Sequence, residues 1–104
     1  MNLPKEVYVF GHKVSIIEQD HDWRIHTDSF GQFLSSVLEI HVCTGVPVSH
    51  IKDTLLHEVL HAIWFLSYLP DKAEEEEAVT RISTGLFAVM LDPRNEDLRH
   101  YLWL

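Results

Sequence analysis

The sequence predicts an α+β domain, and three observations carry the prediction. Period-two alternation of apolar and polar residues is confined to the first 42 residues, a nearly continuous helical pattern covers 51–69, and a second covers 71–91. A chain of 104 residues has enough length for a single domain, 1–104, with one modest core.

The elements follow in order. Lys5 to Phe10 and Lys13 to Ile17 are β-branched and aromatic runs separated by Gly11-His12, a pair that suits a tight hairpin turn. Gln19 to Gly31, carrying Asp20, Asp22, Asp28, Ser29 and Gly31, reads as a polar loop with a brief extended piece at Trp23 to His26. Leu38, Ile40 and Val42 alternate with Glu39 and His41, so a third strand is expected there, ended by Gly45-Val46-Pro47. Ser49 is the expected N-cap of the first long helix, and Pro70 lies just past its end. A second helix is expected from about Asp71 to Leu91, with Val79, Ile82, Leu86, Phe87 and Met90 at helical spacing and Asp92-Pro93-Arg94-Asn95 as its stop. Glu96 to Leu104 supply one or two further helical turns. Tyr101-Leu102-Trp103-Leu104 is too hydrophobic for a free tail and is expected to pack on the core or near the active-site cleft.

Composition excludes several classes. Eight Lys and Arg against sixteen Asp and Glu give a net charge of −8, so the electrostatic footprint of a nucleic-acid binder is missing. Cys43 is the only cysteine, which rules out an internal disulfide and Cys-rich structural zinc sites and leaves it as a small buried hydrophobe. The N-terminal MNLPKEVYVFGHK has no long apolar stretch behind its charges, so no secretion signal is expected and the protein should work in the cytoplasm, that of a host if viral. The longest apolar run is broken by His57, Glu58 and His61, which argues against a membrane span.

That interruption is the most informative feature. His57 and His61, four residues apart, stand on one helix face within joint reach of one metal ion. Glu58 beside them can take a proton from a metal-activated water, the general-base role in zinc peptidases. Five residues of pattern arise by chance often enough that context must support them. Here the surrounding helix, IKDTLLHEVLHAIWFLSYL, is apolar on nearly all faces and is expected to be buried, so three ionisable side chains within it need a partner such as zinc. Core histidines bonded to carbonyls are the bland alternative.

A catalytic zinc usually takes three protein ligands and a water. The extended HExxHxxGxxH form is excluded, because Trp64 and Ser67 occupy its later positions. A glutamate from the following helix is the other common solution, and Glu74, Glu75, Glu76 and Glu77 lie in its first turns, where acidic residues also simply complement the helix dipole. Glu76 shares a stripe with Val79, Ser83 and Leu86, whereas Glu77 shares one with Arg81 and Thr84. Tyr68, Arg81, His100 and Tyr101 are candidates for stabilising an oxyanion, unranked by spacing. His12, His21, His26, His41 and His50 are expected at the surface.

DTLLHEVLHAIWFL followed by EEEEAVTRISTGLFAVMLDPRNEDL resembles the short gluzincin-type zinc metallopeptidases common in bacteriophage and prophage genomes, over roughly residues 37 to 102. The resemblance implies a minimal zincin-like domain, with a small antiparallel sheet packed on the active-site helix and a second, glutamate-bearing helix completing the site. It also implies His57, His61 and Glu76 as zinc ligands and Glu58 as catalytic base. The family pattern has Asp-Asn-Pro near the end of its second helix, where this chain has Asp92-Pro93-Arg94-Asn95, a departure that touches a turn.

Two functions are therefore expected in competition. One is a zinc-dependent peptidase acting on a peptide or protein substrate, with the strand Val37 to Val42 holding an extended peptide if it lies at the sheet edge. The other is a zinc-stabilised binding module that targets a host protein and keeps the metal for folding.

Overall fold

The computed structural model describes residues 2–67 and 75–103, the side chains of Glu75, Glu76 and Val79 excepted. Its order is β1 (Glu6–Val9), β2 (His12–Gln19), α1 (His21–Thr27), β3 (Gly31–Leu34), β4 (Glu39–Cys43), α2 (Val48–Leu66), α3 (Glu75–Leu91), a 3₁₀ turn (Pro93–Asn95) and α4 (Glu96–Trp103). The α+β class is as expected. Both β1 and β2 arise where the β-branched runs lie, joined by a two-residue loop at Phe10-Gly11, one residue earlier than the expected Gly11-His12; its positive φ values of 49° and 80° match the right-handed twist of the flanking strands.

The sheet is mixed, with order β1-β2-β4-β3. Antiparallel pairing joins β1 to β2 and β3 to β4, but β2 and β4 run parallel, Ile16 opposite Ile40. The wholly antiparallel sheet implied by the resemblance is thus corrected. Its cause is the segment read as a loop: 21–27 is a helix, capped by Asp20 accepting from the Trp23 amide and closed by Asp28 in the left-handed region. After α1 the chain returns down the far edge as β3, an element the alternation pattern missed, and turns back as β4 into the space left beside β2. A β4 that arrives from an outer hairpin has to run parallel to β2. It also lies inside the sheet, so the strand proposed as an edge is central and β3 is the edge.

Alternation then sorts the faces. Val7, Val9, Val14, Ile16, Ile40 and Val42 are buried on one face of the sheet, and α2 lays Ile51, Leu55, Val59, Ala62, Ile63 and Leu66 against them. This makes α2 amphipathic; the expectation of burial on nearly all faces is corrected, since Asp53, His57, His61 and Phe65 form an exposed stripe. Ser49 does not cap it. The N-cap is Pro47, whose carbonyl accepts from His50 and Ile51, and no side chain caps the end.

α3 packs beside α2 through its smallest residue. A Cβ at Gly85 would stand 2.5 Å from Ile63 Cγ2 and 2.9 Å from Phe10 Cζ, so only glycine allows this approach. Four residues earlier, Arg81 Nη1 donates to the Ser67 carbonyl, and the two contacts together show that the helices run antiparallel. Asn95, only 1 % exposed, ties β1 to the end of α3: its Oδ1 accepts from Tyr8 N, and its Nδ2 donates to the carbonyls of Tyr8 and Val89. The outer edge of β1 is closed at Tyr8 by that side chain. In α4, Leu98 and Tyr101 are buried and Leu102 packs against the core while Trp103 is 64 % exposed, so the expected docking of the C-terminal residues holds for Tyr101 and Leu102 and not for Trp103. No helix among the described residues is long and apolar enough to cross a membrane.

Candidate metal and hydrolytic site

One turn of α2 sends its ionisable residues to opposite environments. Glu58 belongs to the buried stripe, between Leu55, Val59 and Ala62, and is 6 % exposed. His57 and His61 belong to the exposed stripe. Of the three ionisable side chains expected to be buried, only Glu58 is. Burial holds its carboxyl above the usual carboxylate range, opposed by the potentials of His61 and His57.

The two imidazoles converge. Their Nε2 atoms are 3.1 Å apart, with ring centroids 4.7 Å apart at 80°. Two nitrogen ligands of one tetrahedral zinc, each about 2.0–2.1 Å from the ion, stand about 3.3 Å apart. The separation therefore suits one ion shared by both rings, and the donor set of paired imidazoles beside a buried carboxylate fits zinc chemistry. Among the described residues no group of three His, Cys, Asp or Glu side chains is placed to hold an ion.

The expected third ligand, Glu76, has its side chain outside the described residues, as do Glu74 and Glu75. Glu77 is described: it is exposed and 3.6 Å from Arg81 Nη2, an ion pair one turn before Arg81 meets the C-terminal end of α2. Of the stripe shared with Glu76, Ser83 is exposed and Leu86 packs against the core. Gly85 and Val89 are buried as well, because contact with α2 forms around a glycine that apolar counting overlooks.

β3 closes the other wall. A Cβ at Gly31 would stand 2.5 Å from Thr54 Cγ2 and 3.1 Å from Glu58 Oε2, so the bare backbone at this position lets the edge strand lie directly over the carboxylate. Glu58 lines two openings along β3. One, of about 470 Å³, is bounded by Gln32, Phe33, Leu34, Ser35 and, from α2, His61, Trp64 and Phe65. The other, of about 240 Å³, is bounded by Ser29, Phe30, His50, Asp53 and His57.

His50 and Asp53 are neighbours that the sequence reading missed, although seven and four residues before His57 on the same helix is a readable signal. The His50 ring lies 4.3 Å from that of Phe30, over which Arg24 stacks. His41 is also drawn in from the surface, held between Glu39 and Gln19 against Trp23, while His12, His21 and His26 are exposed as expected. Of the oxyanion candidates, Arg81 is engaged with Ser67 and Glu77, His100 lies 3.8 Å from Glu96, and Tyr101 is buried in α4; none lines either opening beside Glu58. Tyr68 lies outside the described residues. Cys43 is buried and free. Comparison with family models, curated proteins and solved structures finds no match to this chain.

Proposed function

We propose that this protein is a zinc-dependent peptidase in which His57 and His61 hold the metal, Glu58 is the general base and Glu76 is the third ligand. The observation that carries the reading is the position of Glu58: a buried carboxylate beside two convergent imidazoles and directly beneath an edge strand. What the ion supplies when bound is Lewis acidity, acidifying a water and polarising a carbonyl. The protein supplies the rest. Glu58 takes the proton, and burial makes it a stronger base than a solvated glutamate. Strand β3 is paired with β4 alone among the described residues; Ser29 Oγ engages the outward N–H and C=O of Gly31, and the outer backbone groups of Phe33 are those left to align an extended peptide beside Glu58. The third ligand rests on the resemblance of the Glu76 to Leu86 run to gluzincin-type sequences.

Glu58→Gln tests this reading, because it keeps the size of the side chain and removes the base. The variant is expected to retain one zinc per chain by elemental analysis and to lose peptide hydrolysis by at least about 100-fold. A wild-type protein that binds no zinc, or a variant that cleaves as well as wild type, overturns the proposal.

A further inference from the structure

Of the two openings beside Glu58, the one on the His57 side carries an anion that the proposed reaction does not use. Besides His57 and Glu58, its space of about 240 Å³ is lined by Ser29, Phe30 and Gly31, where the chain enters β3, and by His50, Asp53 and Thr54 of α2. Most of these groups are already engaged. The Ser29 hydroxyl donates to the Gly31 carbonyl and accepts from its amide, Thr54 is buried with its methyl against Gly31, and the His50 ring packs 4.3 Å from that of Phe30. Asp53 differs. It is exposed, and among the described residues no cation stands within ion-pairing distance of its carboxylate.

Over this opening a bound peptide has no ladder to join. Because Ser29 takes the outward groups of Gly31, an extended peptide aligned at Phe33 loses its backbone pairing as it passes toward the start of β3. A side chain or a terminal group has to hold it there. Asp53 sets the sign of that group: among the described residues the lining holds no Lys or Arg, and Arg24, stacked 4.2 Å over the Phe30 ring, stands outside it. The net charge of −8 adds a field that draws cations toward the protein.

Resting on the peptidase reading above, we propose that this pocket is a subsite for a cationic group of the substrate, with Asp53 as its counter-ion and Phe30 and His50 as its aromatic wall. A Lys or Arg side chain and a free N-terminal amine share that chemistry. An exposed ion pair of this kind discriminates charged from neutral groups by up to about fivefold.

The test uses the zinc-loaded full chain at low salt and two pools of random octapeptides, one capped at both ends and one with free N-termini, with cut sites mapped by mass spectrometry. Lys and Arg are expected at one fixed position beside the cut in the capped pool, enriched about threefold or more. Cuts at a fixed distance from the N-terminus, in the uncapped pool alone, identify the terminal amine as the cation. Asp53→Asn should flatten the preference, and Asp53→Lys should turn it toward acidic residues. Glu6→Lys, on the opposite edge of the sheet, makes the same change of charge and should leave the preference as in wild type. No cationic preference in either pool, or an equal shift with Glu6→Lys and Asp53→Lys, overturns the proposal.

A second arm is independent of turnover. Glu58→Gln is titrated by anisotropy with three octapeptides labelled with fluorescein at the C-terminal end: a capped one carrying one Arg, its capped Gln counterpart, and the Gln peptide with a free N-terminus. One of the two cationic peptides is expected to bind about threefold or more tightly than the capped Gln peptide, and adding Asp53→Lys should reverse the order. Equal binding of all three overturns the subsite. Selective binding that Asp53→Lys abolishes, with no cleavage by the wild type, defeats the hydrolytic reading and leaves the subsite standing.

Discussion

Glu58 and the histidines beside it are sequence neighbours with opposite surroundings, and the difference comes from a rotation of 100° per residue on a helix with one buried face. A metal ligand needs access and a general base benefits from desolvation, so this phase suits the roles proposed for them. Asn95 shows the same economy in a structural role. Its side chain makes three hydrogen bonds to backbone groups of β1 and α3 while almost fully buried. Asn95→Ala would leave those groups unpaired and is expected to destabilise the fold by about 2–4 kcal/mol. Urea denaturation with an unchanged slope measures it, and a loss below about 0.5 kcal/mol would show that water replaces the amide.

Among the elements, the start of α3 carries the proposed third ligand. Individual Glu→Ala changes at 74, 75, 76 and 77 are expected to be unequal: Glu76→Ala should weaken zinc binding by orders of magnitude, whereas a carboxylate that only complements the helix dipole contributes about 0.3–1 kcal/mol. Competition titration against a chelating dye reads this directly. Normal affinity in all four variants would move the third ligand elsewhere. The other end of α3 carries a pH-dependent device. Asp92 accepts two hydrogen bonds from the Arg94 side chain and one from its amide, and these bonds hold its carboxyl below the usual range. A lowered folded-state pKa contributes stability that is complete above the unfolded value and is lost as pH falls through the folded one. The melting midpoint of wild type is therefore expected to fall more steeply below about pH 4 than that of Arg94→Gln. Parallel curves would show the pair to be idle.

For the whole molecule, the small size of the core makes metal binding a folding matter. Burial is concentrated in one layer between α2 and the sheet, and a domain of this size has little stability in reserve. If zinc binds only the folded state, a hundredfold excess over Kd adds about 2.7 kcal/mol, which corresponds to roughly 10–20 °C in melting midpoint. Thermal melts with and without chelator check this, and identical midpoints would separate the His57–His61 pair from any metal.

Local periodicity and turn chemistry dictate the α+β class, the β1–β2 hairpin, the long motif helix, the second and third helical segments near their observed places, and the shared face of His57 and His61, so all of these were legible before any packing was known. Tertiary structure decided the remainder. Whether α2 is buried all round or on one side depends on what packs against it, and only the sheet's position shows that Glu58 goes in while the histidines stay out. The α1 helix hid behind polar residues that are equally at home in a loop, since its capping by Asp20 and its packing on β4 lie outside any apolar count. With α1 and β3 unseen, the parallel pairing of β2 with β4 and the edge position of β3 could not be derived, because register and strand order are set by where the chain returns rather than by which residues form strands. Leu86 and Met90 of the expected apolar pattern of α3 do pack inward, but its contact with α2 was unread for a related reason: close helix packing selects the smallest side chain, and Gly85 carries no signal in a pattern built from large ones.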